Sequence, residues 1–199
     1  MTDSSARQAD HDIDPLFVNR WSPRAYSSEE ISEGDLFRLF EAARWAPSAN
    51  NAQPWRFIYA RRDAGRWPNL LALLNPGNRQ WAERASALVV LVSKTTHQRP
   101  GDLTATPLRS HSLDAGAAWA SLAFQALLSG WHTHAIGGFN REAAPGVLGV
   151  PDGYVVETMI AIGRRAAADS LPTELQTREK PNARKPLSEL VAEGRFAFE

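Results

Sequence analysis

The sequence predicts one mixed α/β domain built in three layers. Three observations predict it. Helical and strand-like apolar patterns alternate along the chain, residues 87–93 form a continuous aliphatic run, and residues 113–128 are apolar on nearly every face. A run such as Ala87-Leu88-Val89-Val90-Leu91-Val92-Ser93 suits a strand covered on both sides. About four strands are visible, too few for an eight-stranded barrel.

The elements follow in order. Residues 1–14 are polar and acidic and are expected to form a mobile tail, ahead of a single domain spanning 15–199. Asp14-Pro15 starts a short helix that ends near Asn19. The segment Arg20-Trp21-Ser22-Pro23-Arg24 is irregular and rich in donors. Ser32 with Asp35 three residues on resembles a capping box, so a helix is expected from Glu33 to Ala46, stopped by Pro47. Trp55 to Arg61 alternates as a strand, and Asn69 to Leu74 is helical until Asn75-Pro76-Gly77-Asn78 breaks it. Ala87 to Ser93 is the buried strand. Residues 94–111 form a polar loop, a length that is usually functional or disordered.

Leu113 to Leu128 then reads as a helix that needs cover nearly all round. Its small residues, Ala115 to Ala118 and Ala120, admit a second backbone at close range. The cover is either a partner subunit or the core of a monomer. A strand-like segment with His132 and His134 leads into Ile136-Gly137-Gly138-Phe139, and Tyr154 to Gly163 is a further strand. Residues 164–199 carry three prolines, many charges and a weak helix near Ser188 to Val191, so they are expected to be an arm without a core of its own.

Composition narrows the function. Hydrophobic residues make up 43% and charged residues 22%, with zero formal net charge, so no basic field recruits nucleic acid or a membrane surface. The absence of cysteine excludes disulfides, iron–sulfur clusters and a thiol nucleophile. No apolar run reaches bilayer length and the N-terminus lacks a secretory pattern, so a cytoplasmic location is expected. The phosphate-loop, Rossmann, zinc-helix and nucleophile-elbow motifs are missing. His132 and His134 would share a strand face, but no third ligand sits nearby in sequence, so surface or pocket-lining roles are expected over metal. Ser110-His111 has no visible acid to complete a triad.

What remains are amide and anion donors. Arg20, Ser22 and Arg24 suit a phosphate, since arginine forks bidentately and serine donates a hydroxyl, although a surface Ser-Pro turn explains them as well. Pro47-Ser48-Ala49-Asn50-Asn51-Ala52-Gln53-Pro54-Trp55 lies at a helix-to-strand junction. Its short amides and hydroxyl suit either a polar ligand or an ordinary turn.

Taken in order, these pieces resemble the FMN-dependent nitroreductase family. The motifs are R-x-S-x-R at Arg20 to Arg24, AARWAPSANNAQPWRF at Ala42 to Phe57, Asn78 before a helix and the aliphatic strand, D-x-G-x-A at Asp114 to Ala118, IGGF at Ile136 to Phe139, the strand ending in IAIG, and Arg184-Lys185-Pro186 in the arm. The resemblance covers Pro15 to Val191. It implies an α+β fold of three layers, α/β/α, with a mixed, mainly antiparallel sheet. It also implies an intertwined homodimer with exchanged arms (164–199) and FMN at the subunit interface.

By position, Arg20, Ser22, Arg24 and Arg184 would hold the phosphate and ribityl chain, with Trp21 contributing backbone. Pro47, Ser48, Ala49 and Asn51 would reach the flavin from the other subunit. Asn78 would bond the pyrimidine edge of the ring, and Gly137 and Gly138 would offer backbone N–H groups to its central ring. No side chain is assigned as a catalytic acid or base. The expected reaction is ping-pong hydride transfer from NADH or NADPH through FMN to a nitroaromatic, quinone or similar small acceptor. Other chemistry in the family (aldehyde or enone reduction, oxidation, dehalogenation) and flavin binding with little turnover remain as alternatives. The chain departs from the family pattern at Asn182, where a second basic phosphate ligand is common. It departs again at Trp81, where some relatives carry a basic residue near the ring.

Overall fold

The computed structural model describes residues 7–62 and 64–198. The first six residues of the expected tail therefore lie outside the described residues. Helix α1 (Pro15–Asn19) is opened by Asp14, whose carboxylate accepts the Leu16 amide at 2.8 Å, with Pro15 where no amide bond is needed. Helix α2 (Glu33–Arg44) is capped by Ser32, whose Oγ accepts from the Asp35 amide at 3.0 Å. It ends before Ala46 because the residue preceding a proline is pushed out of the helical region.

Strand β1 (Trp55–Arg61) has the expected bounds. Asn75-Pro76-Gly77-Asn78 does more than break a helix. It closes α3 (Trp67–Leu73) and starts α4 (Pro76–Ala82), with Pro76 in the first turn. Asn78 therefore lies inside a helix, not ahead of one. Strand β2 (Ala87–Lys94) leads into the long loop, which contains a small hairpin, β3 (Thr96–His97) with β4 (Thr106–Pro107). Helix α5 (His111–Leu128), strand β5 (His132–Ile136), helix α6 (Ala144–Leu148), strand β6 (Tyr154–Gly163) and helix α7 (Thr173–Gln176) complete the order.

The main sheet has the order β1-β2-β6-β5, and all three pairings are antiparallel. A mixed sheet needs a parallel pairing as well, and none occurs in this sheet among the described residues. Strand β2 shows why the aliphatic run is continuous. Ala87, Val89 and Leu91 pack with Leu36, Leu39, Ala118 and Leu122 from α2 and α5. Leu88, Val90 and Val92 face the opposite way, with Leu70, Leu73 and Trp81 from α3 and α4. Successive side chains thus enter different cores, and both must be apolar. The three layers follow from this strand.

Helix α5 buries Asp114, Ala115, Ala118, Leu122 and Ala126. Its other side stays open, with Leu113 77% exposed, Leu128 68% exposed and space at Gly116, where an added Cβ would meet nothing within 4 Å. A monomer core therefore does not supply the all-round cover that the sequence calls for. Among the described residues no helix is long and apolar enough to cross a membrane.

The C-terminal region differs from the expected coreless arm. Residues 165–179 pack on their own chain. Arg165 bridges Tyr26, Leu171 and Leu175 are buried, and the Glu179 carboxylate accepts the Arg24 and Ala25 amides. Beyond Glu179 the Asn182 carbonyl still accepts from Arg7 Nε at 2.8 Å, while Leu190 and Val191 further on are exposed.

Candidate functional site

The irregular segment before α2 is held on both sides. The Ser27 amide donates to the Arg164 carbonyl at 2.9 Å, and the Ala166 amide to the Ala25 carbonyl at 2.9 Å. This anchoring presents Arg20, Trp21, Ser22 and Arg24 to a cavity of about 220 Å³. Arg184 and Asn182 reach it from the C-terminal segment, joined by Arg7, Arg178, Lys180 and His134. The Trp21 indole is buried, with the Arg165 guanidinium 6.0 Å from the ring centre.

The cavity is strongly cationic. Burial lowers the proton affinity of Arg20, and Arg184 lowers it further. Arg24 is lowered by burial and then by Arg178, with Glu179 opposing. Arginines that repel one another around a cavity match a multiply charged anion, and a phosphate monoester satisfies their fork geometry. Lys180 and Arg178 line the cavity beside Asn182, where the resemblance leads one to expect a basic residue. The sequence reading missed these two and Arg7, whereas His134 takes the pocket-lining alternative that the sequence left open. No local motif marks Arg7, Arg178 or Lys180, since they converge only through the paths of the two terminal segments.

Arg20 and Ser22 also open onto a second cavity, a slot of about 300 Å³ between α5 and β5. Ala120 and Ala123 line one side and Ala135 the other, with Trp119 and Phe124 beside them. Two residues after Ala135 comes Gly137, where an added side chain would meet nothing within 4 Å. At Gly138 an added Cβ would fall 2.5 Å from Asn78 Nδ2. That nitrogen donates to the Gly138 carbonyl at 2.9 Å, and the Asn75 amide donates to the same oxygen at 3.1 Å. Glycine at 138 is therefore demanded by its own chain's close approach, while Gly137 leaves an open backbone face. A phosphate pocket, a slot floored by small residues and an open glycine backbone form a donor set that suits FMN.

The junction lies elsewhere. Ala49 to Asn51 form a single tight turn, and Asn50, Asn51 and Gln53 have φ of 51°, 52° and 46°. Three non-glycine residues in the left-handed region are strained, and such strain persists only under strong local restraint. The restraints are visible. Ser48 Oγ accepts the Gln53 amide at 3.0 Å, and the Ala49 amide donates to Asp114 Oδ2 at 3.2 Å. Ser110 Oγ donates to the same carboxylate oxygen at 3.0 Å, and Asp114 is 6% exposed. The Asn51 side-chain oxygen accepts from Gln53 Nε2 at 3.1 Å.

Pro47, Ser48 and Ala49 line an open cavity of about 630 Å³ with Ser112 to Asp114, Gly116 and Ala117. None of the cationic residues lines it. Within one protomer, then, Arg20, Trp21, Ser22, Arg24 and Arg184 come together, and Asn78 meets Gly138. Pro47, Ser48 and Ala49 form a separate wall, while Asn51 and Gly137 line none of these cavities.

Trp81 and His111 change their standing. Trp81 is 1% exposed and stacks on His134, with ring centres 4.7 Å apart, so it belongs to the core and not to an exposed ring site. His111 does find an acid. Ser93 Oγ lies 2.7 Å from His111 Nδ1, and Glu157 Oε1 lies 3.3 Å from the same nitrogen. Serine and acid share one ring nitrogen, and Ser93 is fully buried, so this is not the arrangement of a nucleophilic triad. Trp55 and Phe139 are each 6% exposed and pack in the core. Among the described residues no group of three His, Asp or Glu side chains is placed to hold a metal ion.

The model of the nitroreductase family matches residues 18–164. The chain belongs to the nitroreductase family. A crystal structure of an FMN-containing oxidoreductase is 44% identical, covers all of both chains and superposes with a TM-score of 0.94. A protein of Archaeoglobus fulgidus, named provisionally as an NADH dehydrogenase/NAD(P)H nitroreductase, is 30% identical over 74% of this chain and 82% of its own. The major NAD(P)H-flavin oxidoreductase of Aliivibrio fischeri is 30% identical over 45% of this chain and 40% of its own. This nitroreductase therefore shares its fold, including the antiparallel sheet and the two helical layers, with a protein that contains FMN.

Proposed function

We propose that this nitroreductase is an FMN-dependent oxidoreductase that draws on NADH or NADPH and reduces a nitroaromatic, quinone or similar small acceptor. The observation that carries the reading is the cationic cavity that shares Arg20 and Ser22 with a slot lined by Ala120, Ala123 and Ala135. FMN, when bound, supplies the hydride-accepting and hydride-donating chemistry that no side chain here possesses.

The chain's own residues bind and orient. Arg20, Arg24 and Arg184 hold the phosphate by charge-assisted bonds, Lys180 adds a point charge, and Ser22 donates its hydroxyl. The buried Trp21 side chain leaves only backbone to offer. Gly137 presents its open backbone face to the ring, while Gly138 and Asn78 fix that turn against α4. Asn78 has already used one N–H on Gly138, so its Oδ1 and second N–H serve the ring edge.

Pro47, Ser48, Ala49 and Asn51 complete the site from a second copy of the chain. The separation of their cavity from the cationic one within a protomer supports this, as does the uncovered face of α5. In this homodimer the exposed residues beyond Glu179 form the arm. Nicotinamide and acceptor occupy the same place in turn, in a cytoplasmic setting. Anaerobic mixing of the yellow protein with NADH or NADPH should bleach it, and an added quinone or nitroaromatic should restore the colour. A colourless protein whose melting temperature FMN does not raise would end the proposal.

A further inference from the structure

We propose that His134 is an additional phosphate-holding residue of the cationic cavity, and that it takes up a proton from solvent when a phosphate monoester enters. This rests on reading the cavity as the FMN phosphate site.

The geometry leaves the imidazole little choice. His134 lines the cavity from β5. Its Nδ1 lies 3.0 Å from the Pro23 carbonyl oxygen, and since a carbonyl only accepts, Nδ1 carries a hydrogen. One side of the ring packs against Trp81, with ring centres 4.7 Å apart and planes tilted by 36°. With Nδ1 so engaged, Nε2 is the ring nitrogen left for a ligand in the cavity. In a neutral ring with Nδ1–H, Nε2 is a bare acceptor. A phosphate dianion offers acceptors only, so the two repel. Addition of one proton at Nε2 yields the imidazolium and turns that nitrogen into a donor, with no other bond made or broken.

The surrounding charges show why the ring is neutral beforehand. Arg20 and Arg24 face it from the segment before α2. Arg178, Lys180 and Arg184 face it from the C-terminal segment and Arg7 from the N-terminal one, while Glu179 is engaged with the Arg24 and Ala25 amides. Burial is the chief cause that depresses His134 to about 4; hydrogen bonding to the Pro23 and Ser22 backbone opposes it, and Arg24 and Arg20 add to it. An entering dianion offsets the arginine fields and supplies a hydrogen-bond acceptor, and both effects favour the charged ring.

The test is calorimetric titration of FMN into the protein stripped of flavin, at about pH 7.5, where a phosphate monoester is a dianion. Two buffers of unlike ionisation enthalpy report the protons exchanged. Wild type should take up close to one proton per FMN, and inorganic phosphate should reproduce the uptake, whereas riboflavin should show none. FMN affinity should fall by up to about tenfold per pH unit on the alkaline side, a slope that His134→Gln flattens. FMN binding without proton uptake, or uptake undiminished in His134→Gln, overturns the inference and leaves the cofactor reading intact. Absence of FMN binding overturns both. Should His134→Gln not fold, nitrogen-15 spectra of wild type decide: Nε2 must pass from bare to protonated on adding FMN, and an unchanged resonance refutes the proposal.

Discussion

Arginine is the residue type that dominates the candidate site, and its action is cumulative. Arg20 belongs both to the phosphate cavity and to the slot, so it stands where the two meet. A charge-assisted hydrogen bond contributes about 1.5–3 kcal/mol. Arg20→Ala should therefore weaken FMN binding by roughly ten- to hundredfold and leave riboflavin binding nearly unchanged, as read by flavin fluorescence titration. Gly138 makes a different demand. Its missing Cβ is the space filled by Asn78 Nδ2, so Gly138→Ala must displace the amide or the turn. A lowered melting temperature together with weakened FMN binding is the expected result. A variant as stable as wild type would show that the turn has slack.

Among the elements, α2 and α5 are informative for opposite reasons. The end of α2 is a local matter. Ser32→Ala removes the side-chain acceptor of the Asp35 amide and should cost about 1 kcal/mol in chemical denaturation. Helix α5 depends on what lies beyond the chain. An added Cβ at Gly116 meets nothing within the protomer. In a monomer, Gly116→Ala would thus stabilise the helix by up to about 1 kcal/mol. If a second copy packs its backbone there, Gly116→Leu should instead weaken the dimer, with a dimer-to-monomer shift in sedimentation and loss of bound FMN. A monomeric wild type would remove the basis for a site shared between subunits.

For the whole molecule, acid sensitivity comes from two half-buried histidines. Burial chiefly, then Arg165 and Arg164, lowers His132 to about 4, and His134 is lowered to the same value. His132 Nδ1 is buried without a hydrogen-bond partner. The unfolded chain, with histidines near 6.5, binds more protons than the folded one between about pH 4 and 6.5. Stability therefore rises with pH through that window and is lost as pH falls through it. Denaturation midpoints at several pH values should show this slope, and His132→Gln should reduce it.

The sequence by itself determined what depends on near neighbours. The Asp14-Pro15 and Ser32 starts, the bounds of β1 and the two-faced strand β2 were legible because caps and periodicity act within a few residues. So were the motifs that carry the family resemblance. The proline at Pro76 was misread, since the same residue ends one helix or begins another according to which side packs. Tertiary structure alone decided that Lys180, Arg178, Arg7 and His134 join Arg20 around one cavity. It alone seated Trp81 in the core, and it alone tied residues 165–179 to their own chain. Charge convergence is a property of distance in space, where fields add, and residues more than a hundred positions apart leave no sign in sequence that they will meet.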